Sequence, residues 1–228
     1  MKFILFLFPL CVLSHSKDTL HIKYGEQLTG FYNNGNNNSF YINTASNLVL
    51  ENSKTKNNTI CNYSYGQQTN VVNQNEYFFN DIFSYKLGKK LYAVALVELE
   101  QSYMRSIHLR SAGGVGVTWN ISKSVSITDL FLLDETDYSD GSLLYIEHNS
   151  LRLRINHSFS KFTFKTEMYA MPDIKQKYFR FRSNMSLGYK LSKSVSFIVS
   201  LQDAYEQYVI NNRLNNDFNL SFGLSISN

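Results

Sequence analysis

His148 and Ser150 stand two residues apart in His148-Asn149-Ser150, a spacing that puts both side chains on one face of an extended strand. An imidazole beside a hydroxyl is the minimal pair for nucleophilic acyl chemistry, with Ser as nucleophile and His as base. A third group must orient the base. Asn156 shares the parity of His148 and Ser150, but at ~3.3 Å per residue it lies about 20 Å from Ser150. Another Asn would be needed, so a non-catalytic His and Ser is the simpler account. His21, His108, His148 and His157 show no metal-ligand spacing, and no Cys pair supports zinc; no metal or cofactor is expected.

A second constellation is charged. Glu98 and Glu100, His108 and Arg110, Arg152 and Arg154, Lys165 and Glu167, and Arg180 and Arg182 each fall two residues apart. On strands, each pair shares a face, and neighbouring strands would assemble a largely basic wall. That wall fits two chemistries. One is an internal salt-bridge network with Glu98, Glu100 and Glu167. The other is a narrow pore that concentrates small anionic solutes.

These residues need strands to position them, and period-two alternation dominates the chain. Phe218, Leu220, Phe222, Leu224 and Ile226 alternate with Asn219, Ser221, Gly223, Ser225 and Ser227. The 16 Tyr, 17 Phe and two Pro favour strands joined by polar turns. Marking the interruptions predicts about twelve strands, near 20–32, 39–51, 58–67, 75–87, 91–103, 107–120, 125–135, 143–158, 162–171, 178–190, 195–205 and 217–227. A formal charge of +4 without a basic run among exposed aromatics gives nucleic-acid binding no support.

Met1-Lys2, the apolar run Phe3–Leu13 and Ser14-His15-Ser16 have the form of a secretory signal peptide cut after Ser16. The remaining domain, 17–228, keeps only Cys61, so it has no intramolecular disulfide. No later run is long enough for a transmembrane helix.

The predicted connections alternate between short and longer. Ser-Lys marks three short ones, at Ser122-Lys123, Ser160-Lys161 and Ser192-Lys193, with Ser-Val-Ser opening the next strand after two of them. Short turns at one end, longer loops at the other and an even strand count describe an up-and-down transmembrane β-barrel. Closure leaves no backbone group unpaired in hydrocarbon. Tyr85, Trp119, Phe159 and Tyr189 lie close to the short turns, where an interfacial aromatic girdle belongs. Asp81 and Asp129 fall on the lipid-facing parity, and the doublets Phe78-Phe79 and Leu132-Leu133 suggest bulges that would turn them inward.

Gly35-Asn36-Asn37-Asn38-Ser39, Leu91-Tyr92 after Gly88-Lys89-Lys90, and Gly113-Gly114-Val115-Gly116-Val117 resemble the salt-induced outer-membrane protein family (domain of unknown function family 481). The resemblance spans roughly Gly25 to Asn228 and implies an outer-membrane barrel without an established activity. His148-Asn149-Ser150 also resembles the His-x-Ser arrangement of outer-membrane phospholipases. Three functions therefore stand: a structural or passive-transport barrel, a lipid hydrolase, and a soluble exported lipocalin-like or β-sandwich binder. A barrel's expected partners are outer-membrane lipid, the barrel-assembly machinery and, for the pore, small anionic solutes.

Overall fold

A computed structural model of the chain describes residues 19–33, 39–69, 71–175, 178–209 and 214–227. The expected signal peptide (1–16) and residues 35–38 of the Asn-rich turn lie outside the described residues. Twelve antiparallel strands follow one another as β1 His21–Asn33, β2 Ser39–Glu51, β3 Thr55–Gln68, β4 Val71–Lys86, β5 Leu91–Ser102 and β6 Ile107–Asn120, then β7 Val125–Tyr138, β8 Leu143–Phe159, β9 Phe162–Pro172, β10 Phe179–Lys190, β11 Val195–Glu206 and β12 Asn216–Ser227. Each pairs with its sequence neighbours, and β12 pairs with β1 to close the barrel.

Alternation becomes sidedness. Leu28, Val115, Phe131, Leu133, Leu151, Leu187, Phe197, Leu220, Phe222 and Leu224 point outward and are all exposed. An apolar surface that encircles a molecule is a face for lipid, not for water. Among the described residues no helix is long and apolar enough to cross a membrane, which says nothing of strands. Outward aromatics cluster at the short-turn end, where the Phe162 ring lies 5.5 Å from Phe159 and 5.2 Å from Tyr189 and Trp119 stands opposite Leu91 and Ile127.

The repeated Ser-Lys phrase has a local cause. Ser122 Oγ accepts hydrogen bonds from the backbone N–H groups of Ser124 (3.2 Å) and Val125 (3.1 Å). Ser192 Oγ does the same for Ser194 (3.3 Å) and Val195 (3.1 Å). Each serine thereby satisfies turn donors that no strand can reach. Ser160 differs: it sits at φ 54° in a two-residue turn.

Loop lengths contrast less than expected. β3 runs to Gln68 and β4 begins at Val71, and β7 runs on to Tyr138, so the expected longer loop near Gln67–Gln74 is mostly strand and that near Glu135–Ser142 is half strand. No bulge turns Asp81 or Asp129 inward, because the register is unbroken across both doublets. Asp81 instead accepts bonds from Asn57 Nδ2 (2.9 Å) and Thr59 Oγ1 (2.6 Å) on the outer face. Asp129 is exposed there, opposite Val117 and Leu151.

Candidate functional site

The inner face is filled at mid-height. Val94 and Leu96 of β5, Leu130 and Leu132 of β7 and Tyr169 and Met171 of β9 form a buried apolar cluster, with Ile82 and Tyr92 against it. The sequence reading had assigned a polar interior. Two glycines of β6 stand beside the β7 leucines in the ladder. A Cβ at Gly114 would lie 2.5 Å from Leu132 Cδ2, and one at Gly116 would lie 2.8 Å from Leu130 Cα. Both would also strike backbone oxygens of β7, so the bare backbone of β6 lets the two strands lie close, while strand parity turns the leucines inward.

A network of opposite charges adjoins this cluster toward the long-loop end. Arg110, fully enclosed, donates to Glu206 through Nη1 (2.8 Å) and Nη2 (3.0 Å), to Glu100 (2.8 Å) and to Thr136 Oγ1 (2.8 Å). Arg180 donates to Asp134 at 2.9 Å. Arg182 reaches Glu98 at 3.4 Å and also bonds Glu100. Arg105 comes from the β5–β6 turn, in which Ser106 holds φ 55°. It enters the same network, bonding Glu100 and, at 3.1 Å, Glu206. Arg152 lies over the Tyr169 ring (4.5 Å) and 3.9 Å from Glu98, while Glu98 also accepts from Asn80 (3.2 Å). Buried charges persist only where each has partners of this kind.

Eight of the ten residues singled out in the sequence face this interior: Glu98, Glu100, Arg110, Arg152, Arg154, Glu167, Arg180 and Arg182. Arg154 and Glu167 pair with each other (Nε to Oε1, 3.1 Å) nearer the short turns. His108 does not join them. The register shifts between Ile107 and Leu109, so Ile107 is buried against Tyr138 and His108 turns out to pair with Asp137 at 3.0 Å. Lys165 is exposed and, among the described residues, makes no ion pair. Asp134, Glu206 and Arg105 were missed. Asp134 lay within the expected strand 125–135 at the parity of Leu132, and Glu206 lies one residue past the expected strand 195–205 at the parity of Ala204; Arg105 is in a turn, where parity has no meaning.

His148 and Ser150 are both fully enclosed. Ser150 Oγ accepts from Arg152 Nε (3.3 Å), and neither ring nitrogen of His148 has a hydrogen-bond partner among the described residues. Asp134 lies 4.0 Å from His148 Nε2. A serine bonded to a guanidinium and walled off from solvent has neither the base contact nor the substrate access that acyl transfer needs.

The filled zone divides the lumen into two vestibules. The outer one, of about 330 Å³, is lined by Tyr41, Asn62, Phe78, Arg105, Tyr169, Arg182 and Asn219 among others. Its wall carries Glu76, Glu98, Glu100, Asp203 and Asp217 against Arg105 and Arg182. The inner one, of about 290 Å³, carries Lys56, Lys123, Arg152 and Arg154 against Glu51 and Glu167. The two mouths have opposite excess charge. Tyr169, the Arg152–Glu98–Arg182 contacts and the leucines form the partition between them.

A solved porin barrel shares this architecture. A NanC porin structure aligns with a TM-score of 0.54 at 12% identity, covering 89% of this chain and 98% of that one. The KdgM porin aligns at 0.46 and 11%, covering 90% and 99%. The translocator domain of the autotransporter NalP from Neisseria meningitidis aligns at 0.46 and 10%, covering 96% and 91%. No curated protein matches the chain. Residues 27–227, from the first strand to the last, match the family described as "Protein of unknown function, DUF481", and the chain belongs to that family.

Proposed function

We propose that the protein is an outer-membrane passive-diffusion barrel of low conductance, without enzymatic activity, closed at mid-height in the state described here. The observation that carries this reading is the pair of polar vestibules separated by a thin side-chain partition inside a wall whose outer face is apolar. A purely structural barrel has no need of two water-accessible mouths. A partition made of side chains from several strands can be displaced without breaking the ladder. The enclosure of His148 and Ser150 supports the non-enzymatic reading. The anion preference expected from a basic wall belongs only to the inner mouth, because carboxylates neutralise Arg110, Arg180 and Arg182 deeper in.

Single-channel recording in planar bilayers tests this. The wild type should show small, infrequent openings, and Tyr169→Ala should raise the open level severalfold by removing the ring over Arg152. In a salt gradient the reversal potential should shift toward the anion and lose that shift in Lys56→Gln with Lys123→Gln. Silence from both the wild type and Tyr169→Ala would leave a structural barrel. Ester hydrolysis that disappears in Ser150→Ala would restore the hydrolase.

A further inference from the structure

The barrel closes with a short seam. β1 meets β12 through five pairs, Gly25↔Ser227 to Thr29↔Gly223, whereas β1 meets β2 through thirteen and β12 meets β11 through eleven. Beyond Thr29↔Gly223 both strands continue, β1 to Asn33 and β12 back to Asn216. The same register would set Gly30 opposite Phe222, Phe31 opposite Ser221, Tyr32 opposite Leu220 and Asn33 opposite Asn219. None of these pairs forms among the described residues. The wall is therefore split over four residues of strand, roughly 13 Å at ~3.3 Å each, on the long-loop side. A split in a barrel wall leaves ladder groups that hydrocarbon cannot satisfy. Its lower end is sharply defined: a Cβ at Gly223 would lie 2.0 Å from Leu28 O and 2.7 Å from Thr29 Cα.

The outer vestibule lies directly behind the split. Tyr41 of β2 and Asn219 of β12, both in its lining, join across the inner side of β1, Asn219 Nδ2 donating to Tyr41 Oη at 2.8 Å. Phe40 and Phe218, which flank the split on the outer wall, line the same cavity. Below them the outer edges of the seam are apolar and exposed: Leu28 on β1, Leu220 and Phe222 on β12. The polar cavity and the apolar outer wall thus meet through a gap in the sheet.

We propose that this seam is a lateral binding portal for a single-chain amphiphile, whose polar head occupies the outer vestibule while its alkyl tail passes between β1 and β12 into the surrounding leaflet. A cavity of about 330 Å³ is at the small end of ligand sites and takes a head group, not a whole lipid. The head is cationic or zwitterionic. Of the five carboxylates that line the cavity, Glu98, Glu100 and Asp217 pair with arginines, while Glu76 and Asp203 make no ion pair among the described residues; these two, with the rings of Phe40, Tyr41, Phe78 and Phe218, suit an ammonium group. The Tyr41–Asn219 bond is the latch that the head group displaces. The proposal rests on the barrel reading but not on conduction.

The test is photolabelling of the full protein in vesicles of phosphatidylethanolamine and phosphatidylglycerol. The probe is dodecyltrimethylammonium with a diazirine in its tail, and adducts are mapped by peptide mass spectrometry. Adducts should concentrate on Leu28, Leu220 and Phe222, saturate, and be competed at least tenfold better by unlabelled dodecyltrimethylammonium than by dodecyl sulfate. Phe31→Cys with Ser221→Cys, in a Cys61→Ala background, should lock the seam when oxidised, cut labelling about tenfold and recover on reduction. Tyr41→Phe, which leaves the strands untouched, should raise the labelling rate two- to threefold. Non-saturating labelling spread around the whole outer wall would overturn the proposal, as would labelling indifferent to both the lock and Tyr41→Phe. Parallel conductance recordings separate this outcome from failure of the pore: a barrel that conducts but has no saturable seam site refutes the portal alone.

Discussion

The inner face from β5 to β10 and the inner face from β11 through β1 to β4 belong to one continuous sheet, yet they are filled in opposite ways. The first carries Leu96, Leu130, Arg110, His148 and Arg180, large side chains that are almost wholly enclosed. The second carries Thr29, Asn43, Ser64, Ser200 and Ser221, small polar side chains that leave the outer vestibule above them. Tyr41 of β2 and Ile198 and Glu206 of β11 are larger buried side chains in this sector, and Glu206, at the far end of β11, completes the charge network of the filled side. The pairing follows the same division, since the five-pair seam lies within the open sector. One sector supplies the packing that holds the barrel's shape; the other supplies space and a weak closure. Binding sites are drawn from the less stable parts of a fold for this reason.

The comparison can be broken most forcefully at Glu206. Glu206→Ala removes the carboxylate shared by Arg110 and Arg105 and leaves buried guanidiniums without it. Breaking a buried pair in this way costs about 3–5 kcal/mol, and urea unfolding in detergent should show it. A loss under about 1 kcal/mol would mean that water reaches the cluster and that the sector is not filled. Leu130→Ala is next. It empties a position that is 1% exposed and should cost about 2–5 kcal/mol, while raising conductance through the thinned partition. Stability lost without any gain in conductance would place the partition elsewhere.

In the open sector the expected losses are smaller. Tyr41→Phe deletes the hydroxyl that accepts from Asn219 beside a water-accessible cavity, and the loss of that bond should cost about 0.5–1.5 kcal/mol. A cost as large as that of Leu130→Ala would make the latch a core element and erase the contrast. The smallest effect is at Asp140, in the β7–β8 turn. Hydrogen bonds from the Ser142 hydroxyl (2.6 Å) and backbone N–H (2.9 Å) hold its carboxyl below the usual range. A depressed carboxyl contributes stability above its unfolded pKa and loses it as pH falls through the folded one. Ser142→Ala should therefore lower the urea midpoint slightly at neutral pH and not at all in acid. Equal loss at both would assign Ser142 a role unrelated to Asp140.

Much of this architecture was legible in advance. Twelve strands, their order and the inward parity of Glu98, Glu100, Arg110, Arg152, Arg154, Glu167, Arg180 and Arg182 follow from period two, which a barrel enforces on every strand. His108 escaped because a single shifted residue reverses parity, and nothing in Ser106-Ile107-His108 marks the shift. Leu130 and Leu132 escaped because an apolar residue paired with an inward glycine on the next strand looks, in one dimension, like one facing lipid. The basic wall was half right: the arginines are present, but Asp134 and Glu206 reach them only once distant strands are brought together.

The sequence alone determined the strand count and the sidedness of the wall. Alternation and Ser- or Asx-capped turns are local features, written over stretches of a few residues. Only the tertiary structure decided which charges neutralise one another, that the lumen is partitioned into two oppositely charged mouths, and that β1 and β12 stop pairing at Thr29 and Gly223. Those are outcomes of closure. They depend on how strands two hundred residues apart meet, and no local pattern carries that distance.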